Sequence, residues 1–140
     1  MRLIWAADHE LQRVSKRMEA ALGLTVPQRM TLLLIGRKRG VMASELAHLL
    51  HLHPGTVSGI IRRLESAGLL VREGDAGDKR RWQLILSETG QAANRRRAGT
   101  FEAAVQRVFA RVSSSDLEGA AIVLKQLATE LRASGDHHTR

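Results

Sequence analysis

The side chains best suited to chemistry in this chain are cations and small hydrogen-bonding groups. Gly55, Thr56, Ser58, Gly59, Arg62 and Arg63 stand close together. Gly55, Ser58, Gly59 and Arg62 fall at i, i+3, i+4 and i+7, which is one face of a helix. Small residues let a helix approach a surface closely, and Ser and Arg bond to phosphates or base edges. Three more cations, Lys79, Arg80 and Arg81, end a stretch containing Gly74, Gly77 and two Asp. Cations on a projecting turn suit the DNA minor groove, whose negative potential attracts Arg. Each pattern has a plainer alternative, a solvated helix face and a solubilising turn.

Histidines are the other candidates. His48 and His51 are at i, i+3, a spacing that can chelate a metal. Glu45 is one turn before them, but no carboxylate or thiolate follows at ligand spacing. No metal site is expected, and His53 suits a helix cap or a phosphate contact better. His137 and His138 suggest nothing. There is no Cys nucleophile, no Tyr, no Gly-rich phosphate loop and no Gly-x-Ser-x-Gly. Neither an enzyme nor a cofactor is expected.

The elements that must position these residues can be read around them. Val57, Ile60, Ile61 and Leu64 make the opposite, apolar stripe of the same helix. Pro54 suits its first turn and Gly68 its stop. Before it, Leu46, Ala47, Leu49 and Leu50 give a helix with its own apolar set. The linking turn, His51-Leu-His-Pro54, is short enough to force a steep crossing, as in a helix-turn-helix. After Gly68, Leu69–Arg72 and Arg80–Leu86 read as two strands around a Gly-rich turn, with Trp82, Leu84 and Leu86 on one face. The order is that of a helix-turn-helix with a wing.

Flanking helices complete the chain. Ile4, Ala7, Leu11, Val14, Met18 and Ala21 repeat every 3.5 residues between Met1 and Leu24, the pattern of a helix packed along another. Thr25 and Gln28 form a capping box for a second helix. Met30, Leu33 and Leu34 would be its core stripe, widened by Leu32 and Ile35. Arg37, Lys38 and Arg39 suit its last turn and Gly40 its stop. Ser87 is expected to cap one helix running through Ala98, Phe101, Val105, Val108 and Val112. Asn94, Arg95, Arg96 and Arg97 would lie on it, either as phosphate contacts or as a solvated basic turn. Ser115 and Glu118 would cap the last helix, with Leu117, Ala121, Leu124, Ala128 and Leu131 as a narrow seam.

The totals agree with these elements. The chain has 140 residues, 44% of them hydrophobic and only 3% aromatic, so its core must be aliphatic. A net charge of +8 points to a polyanion, nucleic acid before membrane. No apolar run is long enough to span a membrane. The first ten residues become charged too soon for a secretory signal, and the absence of Cys fits a cytoplasmic location.

The motif stretch resembles the MarR family of bacterial transcriptional regulators. The matching residues are Glu45–Ala47, Thr56–Ser58, Arg63–Glu65, Gly68–Arg72, Asp78-x-Arg80 and Leu86-Ser87-x-x-Gly90. The resemblance covers nearly the whole chain. It departs at Met42 and Ala43, where the family often caps with Thr or Ser. It departs again at His53, often Ser, and at Gly59, often Arg, which removes one base or phosphate contact.

The resemblance implies a single MarR-like domain over 1–140, mainly α with a small β wing. Residues 25–90 would be the DNA-binding lobe, and 1–24 with 91–133 the dimerisation lobe. Its dimer seam would use Ile4, Leu11, Val14, Leu117, Leu124 and Leu131. Two recognition helices about 34 Å apart would read an inverted repeat. Gly55, Thr56, Ser58, Gly59, Arg62 and Arg63 would meet the major groove. Lys79, Arg80 and Arg81 would probe the minor groove, with Asp78 orienting Arg80. A small aromatic or anionic ligand would sit near Trp5, His9, Met30, Leu34 and Phe101, residues that core packing explains better. The implied function is a homodimeric repressor released by that ligand. The alternative is a non-specific architectural DNA binder or a protein-interaction module.

Overall fold

The computed structural model describes residues 1–74 and 82–136. Asp78, Lys79, Arg80, Arg81, His137 and His138 lie outside the described residues. Among the described residues, seven helices and one hairpin follow in order: α1 (Arg2–Leu22), α2 (Val26–Arg37), α3 (Ala43–Leu50), α4 (Pro54–Ser66), β1 (Leu70–Gly74), β2 (Trp82–Leu86), α5 (Glu88–Arg95), α6 (Phe101–Phe109) and α7 (Ser114–Asp136). The chain divides into two compact units, Met1–Phe101 and Glu102–Arg140.

In the first unit, one aliphatic cluster joins α2, α3, α4 and the hairpin. Leu32, Ile35, Val41, Leu46, Val57, Ile61, Leu64, Leu70 and Leu84 are all buried in it. Burial of each large side chain contributes about 1.5–3 kcal/mol, which makes this cluster the main support of the unit. Both strands pair antiparallel, from Leu70↔Leu86 to Gly74↔Trp82, and Val41 adds an isolated bridge to Leu84. The first strand begins one residue later and ends two residues later than the sequence suggests, and the second is described from Trp82. Trp82 does not join the apolar face of Leu84 and Leu86. It lies opposite Gly74, which has no side chain to cover it, and is 54% exposed.

Helix α1 ends where Gly23 turns left-handed, φ 68°, and its N–H reaches the Glu19 carbonyl. Its expected seam is largely open. Met18 is buried, Val14 is half-buried, and Ile4 and Leu11 are exposed. The last turns attach α1 to the unit: Ser15 Oγ accepts the Val26 N–H at 3.1 Å. The Thr25 box forms as read, with Thr25 N–H donating to Gln28 Oε1 at 2.8 Å.

The stripe on α2 is shifted from the expected one. Leu32, Leu33 and Ile35 are buried, while Met30 and Leu34 are only half-buried. Arg29 is fully buried on this helix. Its guanidinium donates to the carbonyls of Ala93 (2.7 Å), Asn94 (3.1 Å) and Arg96 (2.7 Å). Those carbonyls end α5, where a helix leaves its last acceptors unsatisfied. The single helix expected after Ser87 is therefore two, α5 and α6. Between them Gly99 adopts φ 73°, and Thr100 Oγ1 donates to the Arg97 carbonyl at 2.8 Å. Apolar periodicity runs through this break, which Gly99 turns and Arg29 stabilises by taking the freed carbonyls.

Ser87 does cap α5, its Oγ accepting the Gly90 N–H at 3.0 Å. Gly90 is required by packing. A Cβ there would lie 1.9 Å from the Leu69 carbonyl oxygen.

In the second unit, α7 starts two residues earlier than read. Ser113, not Ser115, accepts the Asp116 N–H, at 3.1 Å, and donates to the Asp116 carboxylate at 2.6 Å. Apolar residues are exposed around much of α7. Ile122, Val123, Leu124 and Leu131 are each about 60% exposed or slightly more, wider than a narrow seam.

Candidate nucleic-acid interface

Helix α4 has two sides of opposite character. Val57, Ile60, Ile61 and Leu64 are 0–7% exposed and fix it to the core. Gly55, Thr56, Ser58, Arg62 and Arg63 are exposed, and Gly59 is half-buried. A Cβ at Gly59 would meet nothing within 4 Å, so packing does not require glycine there. One helix face is spent on attachment and the other is left free, small and cationic.

Each residue of the preceding turn has a task. His51 ends α3 in the left-handed region, φ 52°, a conformation open to His at modest cost. Leu52 packs against the core cluster. His53 is the N-cap of α4, and its Nδ1 accepts the Gly55 N–H at 3.1 Å. Pro54 is at N1. Helix α3 has no side-chain cap: Met42 stands at its N-cap, as the departure from the family pattern suggested. Glu45 in its first turn pairs with Lys38. In α3, Leu46 and Ala47 are buried, but Leu49 is exposed.

The hairpin is tied to α4 by an ion pair that the sequence reading did not single out. Arg72 donates through Nε and Nη2 to Glu65, the second contact at 3.1 Å. Hydrogen bonding to Glu65 raises the Arg72 pKa above its ordinary value, against a smaller opposing desolvation. The guanidinium stays charged at any working pH. Both residues were visible as motif matches; their spacing of seven gives no sign that they meet. A second, looser pair links α2 to β1, Arg39 to Glu73 at 3.9 Å.

The remaining sequence-proposed residues are scattered or open. Trp5 and His9 are exposed on α1, Met30 and Leu34 are half-buried on α2, and Phe101 is half-buried at the start of α6. A cleft of about 450 Å³ lies elsewhere in the first unit, between the end of α2, the hairpin and α5. Ile35, Val71 and Ile85 are among its apolar walls, and Arg39, Gln91 and Arg95 among its polar ones. The His48 and His51 rings are 6.4 Å apart. Among the described residues no three His, Asp or Glu are grouped to hold a metal. None of the described helices is long and apolar enough to cross a membrane.

Comparison with known proteins places this geometry in a lineage. Residues 22–81, from the end of α1 through β1, match the MarR family. The HTH-type transcriptional regulator TtmR of Methylorubrum extorquens is 31% identical over 88 residues, 63% of this chain and 45% of its own length. The chain therefore spans under half of that relative. The transcriptional repressor Rv2887 of Mycobacterium tuberculosis is 28% identical over 109 residues, 78% of each chain. Its crystal structure with salicylic acid shares the fold at a TM-score of 0.59 and 26% identity, over 89% of this chain and 93% of that one. A crystal structure of the S. aureus MepR–DNA complex matches at a TM-score of 0.72 and 25% identity, over 93% of this chain and 96% of that one. With the fold shared along its length and the sequence match centred on the helix-turn-helix, the chain is similar to the MarR family over residues 22–81, and the relatives it matches are transcriptional regulators rather than enzymes.

Proposed function

We propose that the protein is a homodimeric repressor that binds an inverted-repeat operator and leaves it when a small aromatic or anionic ligand binds. One observation carries this reading most: α4 buries its entire aliphatic side and leaves Thr56, Ser58, Arg62 and Arg63 exposed on the other. Thr56, Ser58 and Arg62 enter the major groove, with Gly55 and Gly59 allowing close approach and Arg63 on the phosphates. Lys79, Arg80 and Arg81 reach the minor groove, and Asp78 orients Arg80. A second copy covers the apolar side chains left open on α1 and on α7, Ile4, Leu11 and Val14 on one, Leu117, Leu124 and Leu131 on the other. The complexes of MepR with DNA and of Rv2887 with salicylic acid support the two partners. Trp5, His9, Met30, Leu34 and Phe101 remain the proposed ligand contacts.

The test is alanine substitution at Arg62 and at Arg80, read by fluorescence anisotropy on DNA from upstream of the protein's own gene. Each change is expected to weaken binding by about 1–3 kcal/mol with the fold intact. Unchanged affinity in both variants would remove α4 and the wing from DNA recognition.

A further inference from the structure

The stretch between α5 and α6 is held from two other helices. Helix α5 ends at Arg95, the Arg96 N–H reaches the Ala93 carbonyl at 3.2 Å, and Gly99 turns left-handed at φ 73°. From α2, the fully buried Arg29 donates to the carbonyls of Ala93, Asn94 and Arg96. The Asn94 carbonyl also accepts from Arg97 Nη1 at 2.6 Å. From α1, the buried Met18 offers its Sδ to the Phe101 N–H at 3.3 Å. The boundary between the two compact units follows at once, between Phe101 and Glu102.

The local sequence also suits a helix. Residues 96–100 read Arg-Arg-Ala-Gly-Thr, with no Pro and one Gly. Ala98, Phe101, Val105, Val108 and Val112 keep helical spacing through the break and beyond it. In one continuous helix, the carbonyls of Ala93, Asn94 and Arg96 would accept from the N–H groups of Arg97, Ala98 and Thr100, each four residues on. Those are the three acceptors that Arg29 takes. The Phe101 N–H would pass from Met18 sulfur, a weak acceptor, to the Arg97 carbonyl. One set of carbonyls can thus be satisfied in two ways, and the planar donor fork of Arg29 selects the broken one. Gly99 adds to that choice, since most residues avoid its φ. A Cβ there would meet nothing within 4 Å, so backbone preference and not space sets its contribution.

We infer that residues 96–100 are a hinge with two states, broken and helical, and that Arg29 is the latch that holds it broken. Release of the latch joins α5 to α6 as one helix. That changes the connection between the unit that carries α4 and the unit that carries α7. The exchange is all-or-none in character, because the three carbonyls change partners together. The hinge stands on these bonds alone, and its effect on DNA rests on the proposed role of α4.

Gly99→Ala and Gly99→Asn test it as a pair. Both side chains enter open space, but Asn tolerates the left-handed region while Ala disfavours it and favours helix. Ala should shift the equilibrium toward the helical state by about tenfold or more. Arg29→Lys keeps the charge, removes the fork and is combined with Gly99→Ala. The readouts are the ¹³Cα shifts of residues 96–100 in uniformly labelled protein, and affinity for the DNA upstream of its own gene and for a random duplex of equal length. Wild type and Gly99→Asn should show a helix that ends at Arg95. Gly99→Ala, and more fully the double variant, should show helical shifts through Thr100. On the upstream DNA the helical variants should differ from wild type by about fivefold or more, with the random duplex bound equally because α4 is untouched. A weaker complex would make the broken state the binding form, and a tighter one the helical state. Non-helical shifts in Gly99→Ala and in the folded double variant would overturn the inference. The break would then be a fixed turn that Arg29 only supports, seen as a lowered Tm and nothing else. If the double variant does not fold, Gly99→Ala decides alone. Helical shifts with unchanged affinity for the upstream DNA would overturn the coupling to DNA. If the wild type binds neither duplex, the DNA-binding reading fails, and the shifts still decide the hinge.

Discussion

At the scale of residues, two glycines make opposite predictions from the same chemistry. Gly90 has the Leu69 carbonyl where a Cβ would go, at 1.9 Å. Gly90→Ala must push α5 off the hairpin, and should cost about 1–3 kcal/mol or more in urea denaturation. Gly59 has open space instead. Gly59→Ala should stabilise the protein by about 0.5–1 kcal/mol, since alanine is the better helix former. If Gly59→Ala is more stable yet binds DNA less well, its glycine serves close approach to the groove. A destabilised Gly59→Ala would mean that the α4 surface is packed against something. The Gly90 position was legible as part of the Leu86-Ser87-x-x-Gly90 pattern. Its reason was not, because the carbonyl it makes room for comes from Leu69, outside the helix.

At the scale of elements, the Arg72–Glu65 pair attaches the hairpin to the recognition helix. The Arg72 side chain is 47% exposed and that of Glu65 26%, so solvent screens the pair and its direct worth is about 1 kcal/mol at most. A double-mutant cycle with alanine at both positions should find that small coupling in stability. If the hairpin contacts DNA as proposed, Arg72→Ala should nevertheless weaken DNA binding, because it releases the hairpin from α4. Unchanged DNA affinity would mean that the sheet alone sets the wing. The helix-turn-helix was legible in sequence because both helices show their apolar sides at regular spacing, the turn ends in Pro54 and the second helix stops before Gly68. The break between α5 and α6 was hidden. Ala98, Phe101 and Val105 keep helical spacing across it; Gly99 turns the chain there, and the freed carbonyls of Ala93, Asn94 and Arg96 are taken by Arg29, more than sixty residues earlier. The correct cap of α7 was equally local but ambiguous, since four residues from Ser113 to Asp116 hold three serines.

At the scale of the whole molecule, the open apolar side chains and the charge give the two remaining predictions. Leu124 is 60% exposed in the single chain, so Leu124→Glu should leave its secondary structure unchanged. In the proposed dimer the same change buries a carboxylate. Sedimentation should therefore report a monomer, and a variant that remains dimeric would place the interface elsewhere. The net charge of +8 ensures some attraction to any DNA, so binding alone decides little, and selectivity is the central claim. The most direct measurement is fluorescence anisotropy of the purified protein on the DNA upstream of its own gene and on shuffled DNA of equal length, at several salt concentrations. Preference for the upstream DNA by about 10³-fold or more, at one dimer per site, is the predicted result. Equal binding to both, with a steep salt slope, would contradict it and leave a protein that recognises only phosphate.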